Sequence, residues 1–395
     1  MAYADIYRRD RLFLPQQELL AFAREVPTPF YLYDEDGVRK TARLILASFR
    51  MPAGHRAYFP VGVNNAPAIL RIYREEGFGA LVCSVQELEL ARSIGFGDVL
   101  FHTAGLTEPA AEAVRSARCG VILDAPGQLE AFSGALPERC LLRWHPEQEL
   151  RKSFAFARRG KSGMDRAQVI EAAKALSRLG VPEIGLHCHV PGSIQTAEDY
   201  PRLASLLLDL AAELRSSGVR IGMIDPGGGL PAGTEPGRPQ LHMSAVGAQM
   251  RRLFEGIPDA PVLCTELGRS AVARHGIAVS RVLELRERAR SFAILDISAS
   301  QLGGQPNHGN QRISVVGNCA RSGRKVYCVH GCTPSSRELL CDRAILPPLS
   351  RGTLVALHGC GANAQSMQTG RFMLPPCGGY LFTCEGSIVP LSEHQ

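Results

Sequence analysis

I-G-M-I-D-P-G-G-G-L-P, Ile221 to Pro231, is an apolar run that breaks into three consecutive glycines. Ile221–Ile224 reads as a short buried strand, because an apolar stretch of this length bounded by Gly and Pro favours extended backbone. The glycines at 227, 228 and 229 then remove side chains from the turn. Backbone N–H groups freed in this way can approach an anion closely. The same residues also suit a tight turn that binds nothing.

Working outward, the pattern recurs on both sides. Upstream, Ile184–His189 runs into H-C-H-V-P-G-S, His187 to Ser193; downstream, Val262–Thr265 runs into T-E-L-G-R-S, Thr265 to Ser270. Further strand-like runs lie at Ala57–Phe59, Ala80–Val82, Val99–Phe101, Gly120–Leu123 and Leu141–Arg143. Helix-like segments alternate with them, at Gln86–Ile94, Glu108–Arg118, Arg166–Leu179, Ala197–Ser216 and Ser244–Phe254. Strands alternating with helices in this number predict an α/β fold, a (β/α)8 TIM-type barrel. An open doubly wound sheet is the competing arrangement.

After about residue 270 the pattern changes. Ile277–Leu285, Ala293–Ile297, Arg312–Val316, Lys325–Val329, Leu354–Leu357 and Gly379–Thr383 are strand-like and separated by Gly, Pro, Ser and Asn. They predict a C-terminal antiparallel β-domain. The expected division is a barrel over 28–270, with 1–27 plus 271–395 in the β-domain. Phe30–Tyr33 falls on the barrel side of that boundary, although this segment precedes the barrel strands and could add to the β-domain.

The bulk composition fits this reading. The chain has 395 residues, enough for two cores, with 45% hydrophobic and 21% charged residues. No apolar run reaches about 18 residues, so no membrane span is expected. The first residues, MAYADIYRRDRLF, lack the apolar stretch of a signal peptide, and the cytoplasm is the expected location. The net charge of +6 is spread out, with no basic run interleaved with aromatics, which argues against nucleic acid. The twelve cysteines include no C-x-x-C and are not spaced as a disulfide framework.

In a barrel, chemistry sits where strands end. The candidates there are Gly62–Asn65, Ser84, His102, His145, His187–Ser193, Asp225–Gly229 and Glu266–Arg269. Glu266 and Arg269, three apart, suit two ends of one ligand or a surface ion pair; arginine matches phosphate by charge and fork geometry. His187 and His189 share a face if the strand continues through both. His330-Gly-Cys332 and His358-Gly-Cys360 repeat that spacing. Histidine and cysteine ligate zinc, copper or iron, including haem iron, so His187, His189, His330, Cys332, His358 and Cys360 are candidate metal ligands. Packed or hydrogen-bonded histidines are the plainer reading.

In order along the chain, these motifs resemble the fold-type III pyridoxal-phosphate (PLP) decarboxylases, which act on diaminopimelate, ornithine and arginine. The resemblance runs from T-P-F-Y-L-Y-D (Thr28 to Asp34) to about Glu385. Ser84 and Glu87 match S-x-x-E-L, and Lys161 and Gly163 resemble K-F-G. H-V-P-G-S resembles H-[IV]-G-S with the extra Pro191, while D-P-G-G-G-L and E-L-G-R-S match the glycine loop and E-P-G-R-S. G-C-T-P-S-S-R resembles the family's cysteine motif, and R-G-T-L followed by G-C-G-A-N resembles G-D…G-A-Y. The resemblance implies that His189 stacks on the cofactor ring. It implies that Gly227, Gly228, Gly229 and Arg269 hold the phosphate, with Ser193 and Asn64 also at the cofactor. Glu266 would pair with the pyridine nitrogen. Cys332 would reach the site across a homodimer interface, and the substrate would be a small amino acid or derivative.

The departures fall on the chemistry. The family's Y-x-x-K-x-N, whose lysine forms the Schiff base, reads F-P-V-G-V-N here, Phe59 to Asn64. Gly62 occupies the lysine position and has no amine. The aspartate expected after the cysteine motif reads Ser335-Ser336, and the tyrosine of G-A-Y reads Asn363. Lysines are scarce: Lys40, Lys152, Lys161, Lys174 and Lys325. Schiff-base PLP is therefore not expected, and the cofactor stays open between iron or haem, with His189 and Cys332 as catalytic candidates, and non-covalent PLP or its amine form. Three functions remain. The first is a repurposed decarboxylase-type enzyme acting without a Schiff base. The second is an inactive homologue that binds and regulates a partner. The third is a PLP decarboxylase using another lysine.

Overall fold

The first strand, Phe30–Asp34 (β1), is followed by eight more: His55–Pro60 (β2), Gly79–Val82 (β3), Val99–His102 (β4), Gly120–Leu123 (β5), Arg139–Arg143 (β6), Glu183–His187 (β7), Met223–Asp225 (β8) and Val262–Thr265 (β9). β2 to β9 form a closed parallel barrel, with β9 pairing back onto β2 through Leu263↔His55 and Thr265↔Ala57. The expected barrel is present, and the open sheet is not. This computed structural model describes residues 12–132, 135–146, 149, 161–190, 196–233, 241–303, 310–317 and 323–392.

Strand alternation builds the barrel. Tyr58, Leu81, Leu100, Ile122, Leu141, Met223 and Cys264 form one buried cluster in its interior. Their strand neighbours Phe59, Val82, Phe101, Leu123, Leu142 and Leu263 join the larger core shared with the outer helices. Each such fully buried side chain contributes about 1.5–3 kcal/mol. Several of the barrel helices begin on side-chain caps. Ser84 accepts the Glu87 N–H at 3.1 Å before Val85–Ile94, and Asp165 and Gln168 form a capping box for Arg166–Arg178. Asp199–Ser216 and Met243–Phe254 close the helical ring after β7 and β8.

The second unit is a nine-stranded sheet. Gly276–Glu287 (β10), Ser291–Leu295 (β11), Ile313–Val315 (β12), Lys325–His330 (β13), Leu339–Leu346 (β14), Leu354–His358 (β15), Gly378–Phe382 (β16) and Ile388–Pro390 (β17) supply eight of its strands. The ninth is β1. It runs antiparallel to β10, in register Phe30↔Val279, and parallel to β16, in register Phe30↔Gly378. The boundary expected at residue 28 is corrected here: Phe30–Asp34 belongs to the sheet. Its residues Phe30, Tyr31, Leu32 and Tyr33 are all buried. Period-two patterning cannot separate such a two-sided strand from a barrel strand. β11 and β13 are also parallel, so the sheet is mostly, not wholly, antiparallel.

Candidate active site

The C-terminal ends of β4 to β9 bring six polar side chains together. His102 ends β4, Asp124 follows β5, Arg143 ends β6, His187 ends β7, Asp225 ends β8 and Glu266 follows β9. Arg143 is buried and donates through Nη1 to His102 Nε2 at 2.9 Å and to Asp124 Oδ1 at 3.3 Å. Its Nη2 donates to the His189 carbonyl at 3.2 Å. Burial pushes Asp124 up, but His102 and Arg143 outweigh it and hold the carboxyl below its usual range. The His102 and His187 rings lie 5.6 Å apart.

His187 is fully buried, which lowers its pKa despite Glu266, whose Oε1 lies 3.4 Å from Nε2. Neither ring nitrogen makes a well-formed hydrogen bond, nor do Asp225 Oδ2 and Glu266 Oε1. The two carboxylates sit too close in a dry place for both to ionise freely. Burial and the Glu266 charge push Asp225 well up, whereas His187 holds Glu266 low against its burial. His189 lies just beyond the strand, and burial of its ring lowers its pKa to about 4. Its Nδ1 accepts the Gly228 N–H at 3.0 Å.

The glycine turn fits tightly. A β-carbon at Gly227 would meet His189 Nδ1 at 2.6 Å, and one at Gly228 would meet the Glu266 carbonyl oxygen at 2.3 Å. Gly227 also needs its φ of +76°. The Gly227 N–H goes to Asp225 Oδ1 at 2.8 Å, and the Gly227 carbonyl accepts from the Tyr200 hydroxyl at 2.7 Å. Two of the three loop amides are therefore used internally. Among the described residues only the Gly229 amide has no partner. Arg269 opens the short helix after Glu266 and is half-buried.

Across the mouth, Gly62 lies in a 3-10 turn after β2. A β-carbon there would meet Glu87 Oε1 at 3.1 Å. Glu87 is itself held, its Oε2 accepting the Cys83 N–H at 2.7 Å. The turn is clamped to the other unit: Asn64 Nδ2 donates to the Gly361 carbonyl at 2.9 Å, and the Asn363 N–H donates to the Val63 carbonyl at 2.8 Å. The Ser366 hydroxyl donates to the same carbonyl at 3.0 Å. Asn64 Oδ1 accepts the Ala66 N–H at 3.1 Å, so this buried side chain ties domains together.

Not all expected residues meet. β13 ends at His330 and β15 at His358, so the paired faces expected for His330–Cys332 and His358–Cys360 do not form. His330 Nε2 instead lies 3.3 Å from Cys328 Sγ, two residues before it on the strand. His358 bonds Ser314 at 2.7 Å, and Gly359, at φ +76°, turns Cys360 into the core. Cys332 is half-buried in the turn after β13, with burial pushing its thiol up. Ser193 lies outside the described residues. Asp124 and Arg143 were not singled out from sequence, although both stand at strand ends, the position that marks barrel chemistry.

The turn that would carry an imine-forming lysine in a covalent PLP site holds glycine here. Gly62 offers no amine. Lys40, Lys174 and Lys325 pair with Asp36, Glu171 and Glu287, and Lys161 is exposed. The ring half fits better: Glu266 Oε1 is a buried acceptor without a hydrogen bond.

A closed barrel with a mostly antiparallel β-domain and this glycine turn defines a class of amino-acid-decarboxylase scaffold. The family described as "Pyridoxal-dependent decarboxylase, pyridoxal binding domain" matches residues 36–273, more than half the chain, and the chain belongs to that family. A diaminopimelate decarboxylase of Archaeoglobus fulgidus is 26% identical over 349 residues, covering 85% of this chain and 83% of that one. Protein TabA of Pseudomonas amygdali pv. tabaci is 28% identical over 283 residues, covering 70% and 67%. The crystal structure of a diaminopimelate decarboxylase from M. jannaschii superposes with a TM-score of 0.86 at 17% identity, covering 94% of this chain and 91% of that one. No helix among the described residues is long and apolar enough to cross a membrane.

Proposed function

We propose that this chain is a repurposed decarboxylase-type protein, a homodimer that acts on a small amino acid or derivative at the barrel mouth without an imine to the protein. The observation that carries this is Gly62, whose missing side chain faces the Glu87 carboxylate on a turn clamped at both ends. A bound pyridine cofactor would supply an electron sink when present, with Glu266 at its ring nitrogen and Gly229 and Arg269 at its anion. The protein's own part is to hold and orient. His189 is fixed by Gly228 and Arg143 as a neutral ring over the pocket, and Asp225 keeps the glycine turn in place. Buried Arg143 and Asp124, with half-buried His102, form a fixed polar wall suited to a ligand carboxylate or amine.

The test is reduction with borohydride after incubation with PLP, followed by mass spectrometry of the digest. The expected result is no pyridoxyl-lysine. A stoichiometric pyridoxyl adduct on any lysine overturns the reading.

A further inference from the structure

We propose that His187, Asp225 and Glu266 hold a divalent metal ion of the zinc or ferrous type at the floor of the barrel mouth. The three stand at the ends of consecutive strands β7, β8 and β9. One donor atom from each lies within 4.8 Å of the others. His187 and Asp225 have no exposed surface, and Glu266 retains 6%. The site therefore belongs to the interior, where a carboxylate needs a cation or a proton.

A separate observation points to a ligand. Both nitrogens of His187, Oδ2 of Asp225 and Oε1 of Glu266 are buried without a hydrogen-bond partner. Buried polar atoms are almost always satisfied, and one nitrogen of His187 with Asp225 Oδ2 and Glu266 Oε1 can share a single ion. An imidazole with two carboxylates is a donor set for zinc, iron or manganese. Two carboxylates against a dication bury no net charge. Zinc–oxygen and zinc–nitrogen distances are about 2.0–2.2 Å, so donors on one ion lie up to roughly 4 Å apart, and small side-chain rotations close the group. Asp225 is already oriented, because its Oδ1 accepts the Gly227 N–H at 2.8 Å. Three protein ligands leave one position of a tetrahedral ion open. Of the six side chains of the H-x-[HC] triplets, His187 alone takes part.

The inference rests on the reading that no imine tethers a pyridine here; a pyridine bound without one would take Glu266 Oε1 in place of the ion, so ring and metal are alternative occupants of that carboxylate, and the metal is tested on protein free of PLP. Its test is therefore run apart from the borohydride assay. The full-length protein is stripped with a chelator and titrated with Zn²⁺ by calorimetry, with metal content measured after dialysis. The expected result is one ion per chain and a rise in the thermal midpoint on loading. Glu266→Gln keeps the side-chain shape and should weaken Zn²⁺ binding by about a hundredfold or more, beyond the loss expected for an outer partner. His330→Gln and His358→Gln should bind as the natural chain does. Circular dichroism establishes that each variant is folded, and His187→Gln gives a second ligand variant if Glu266→Gln is not. Less than half an ion per chain, or unchanged affinity in a folded ligand variant, overturns the proposal. A reducible PLP adduct would instead remove the non-imine reading, while the zinc stoichiometry of the stripped protein still reports on the metal site.

Discussion

On the β7–β9 side of the barrel mouth, side chains and backbone lock each other: Gly228 bonds His189, Arg143 bonds the His189 carbonyl, and Asp225 bonds Gly227. On the β2–β3 side, the backbone is clamped just as firmly, by Asn64, Asn363 and Ser366, but it presents no side chain at Gly62. The turn at Gly62 is therefore no looser than the side that carries the polar groups. One side retains a dense set of polar groups, and the other retains the frame without its functional group.

Acid is the broadest way to break this comparison. Burial lowers His55 and His189 to about 4 and His275 to about 3, from an ordinary 6.5. Between those values the unfolded chain takes up protons that the folded chain refuses. Stability should therefore fall as pH drops from 6.5 towards 4, by about 1.4 kcal/mol per pH unit for each histidine. Guanidinium midpoints across that range check it, and a flat profile would show that these rings are not held neutral. Next in size is Gly228→Ala, whose new β-carbon meets a backbone oxygen at 2.3 Å. It should destabilise by about 3 kcal/mol or more, read from urea unfolding. A variant as stable as the parent would mean that the glycine turn is not locked.

The clamped side has its own tests. Asn64→Ala leaves the Gly361 carbonyl and the Ala66 N–H without their partner and should lower stability by about 1–3 kcal/mol in thermal melts. The smallest effect on stability is expected of Gly62→Lys. Only Glu87 Oε1, the end of a flexible side chain, must give way at 3.1 Å, so stability should stay within about 1 kcal/mol of the natural chain. The same variant should acquire a borohydride-reducible PLP adduct that the natural chain lacks. If it folds but takes no PLP, the β7–β9 side is not the preserved half described here.

The barrel was legible because each of its strands is a short apolar run with its own break, and all eight expected runs overlap observed strands. The candidate site was legible only in part, and one physical reason covers most of the gap. Each H-x-[HC] reading assumed two more residues of strand. β7, β13 and β15 all end at the first histidine, so alternation no longer applies to His189, Cys332 or Cys360. Strand ends are set by where the ladder's hydrogen bonds stop, which local sequence does not specify well. Asp124 and Arg143 escaped notice because neither sits in a distinctive motif; only the closed barrel brings them to His102. The β1 boundary failed for a related reason, since pairing partners more than two hundred residues away leave no local mark.

That strand has a consequence for how the molecule comes into being. Phe30–Tyr33 pairs with Gly276–Val279 on one side and with residues from Gly378 onward on the other. On the ribosome, where residues emerge at roughly 5–20 per second, an apolar segment made early must wait through the synthesis of an entire barrel before its neighbours exist. Contacts of such long sequence separation also slow folding in general. The nascent chain therefore carries an exposed sticky strand for much of its birth, and anything that shields Phe30–Asp34 in that interval governs how much protein reaches the native state.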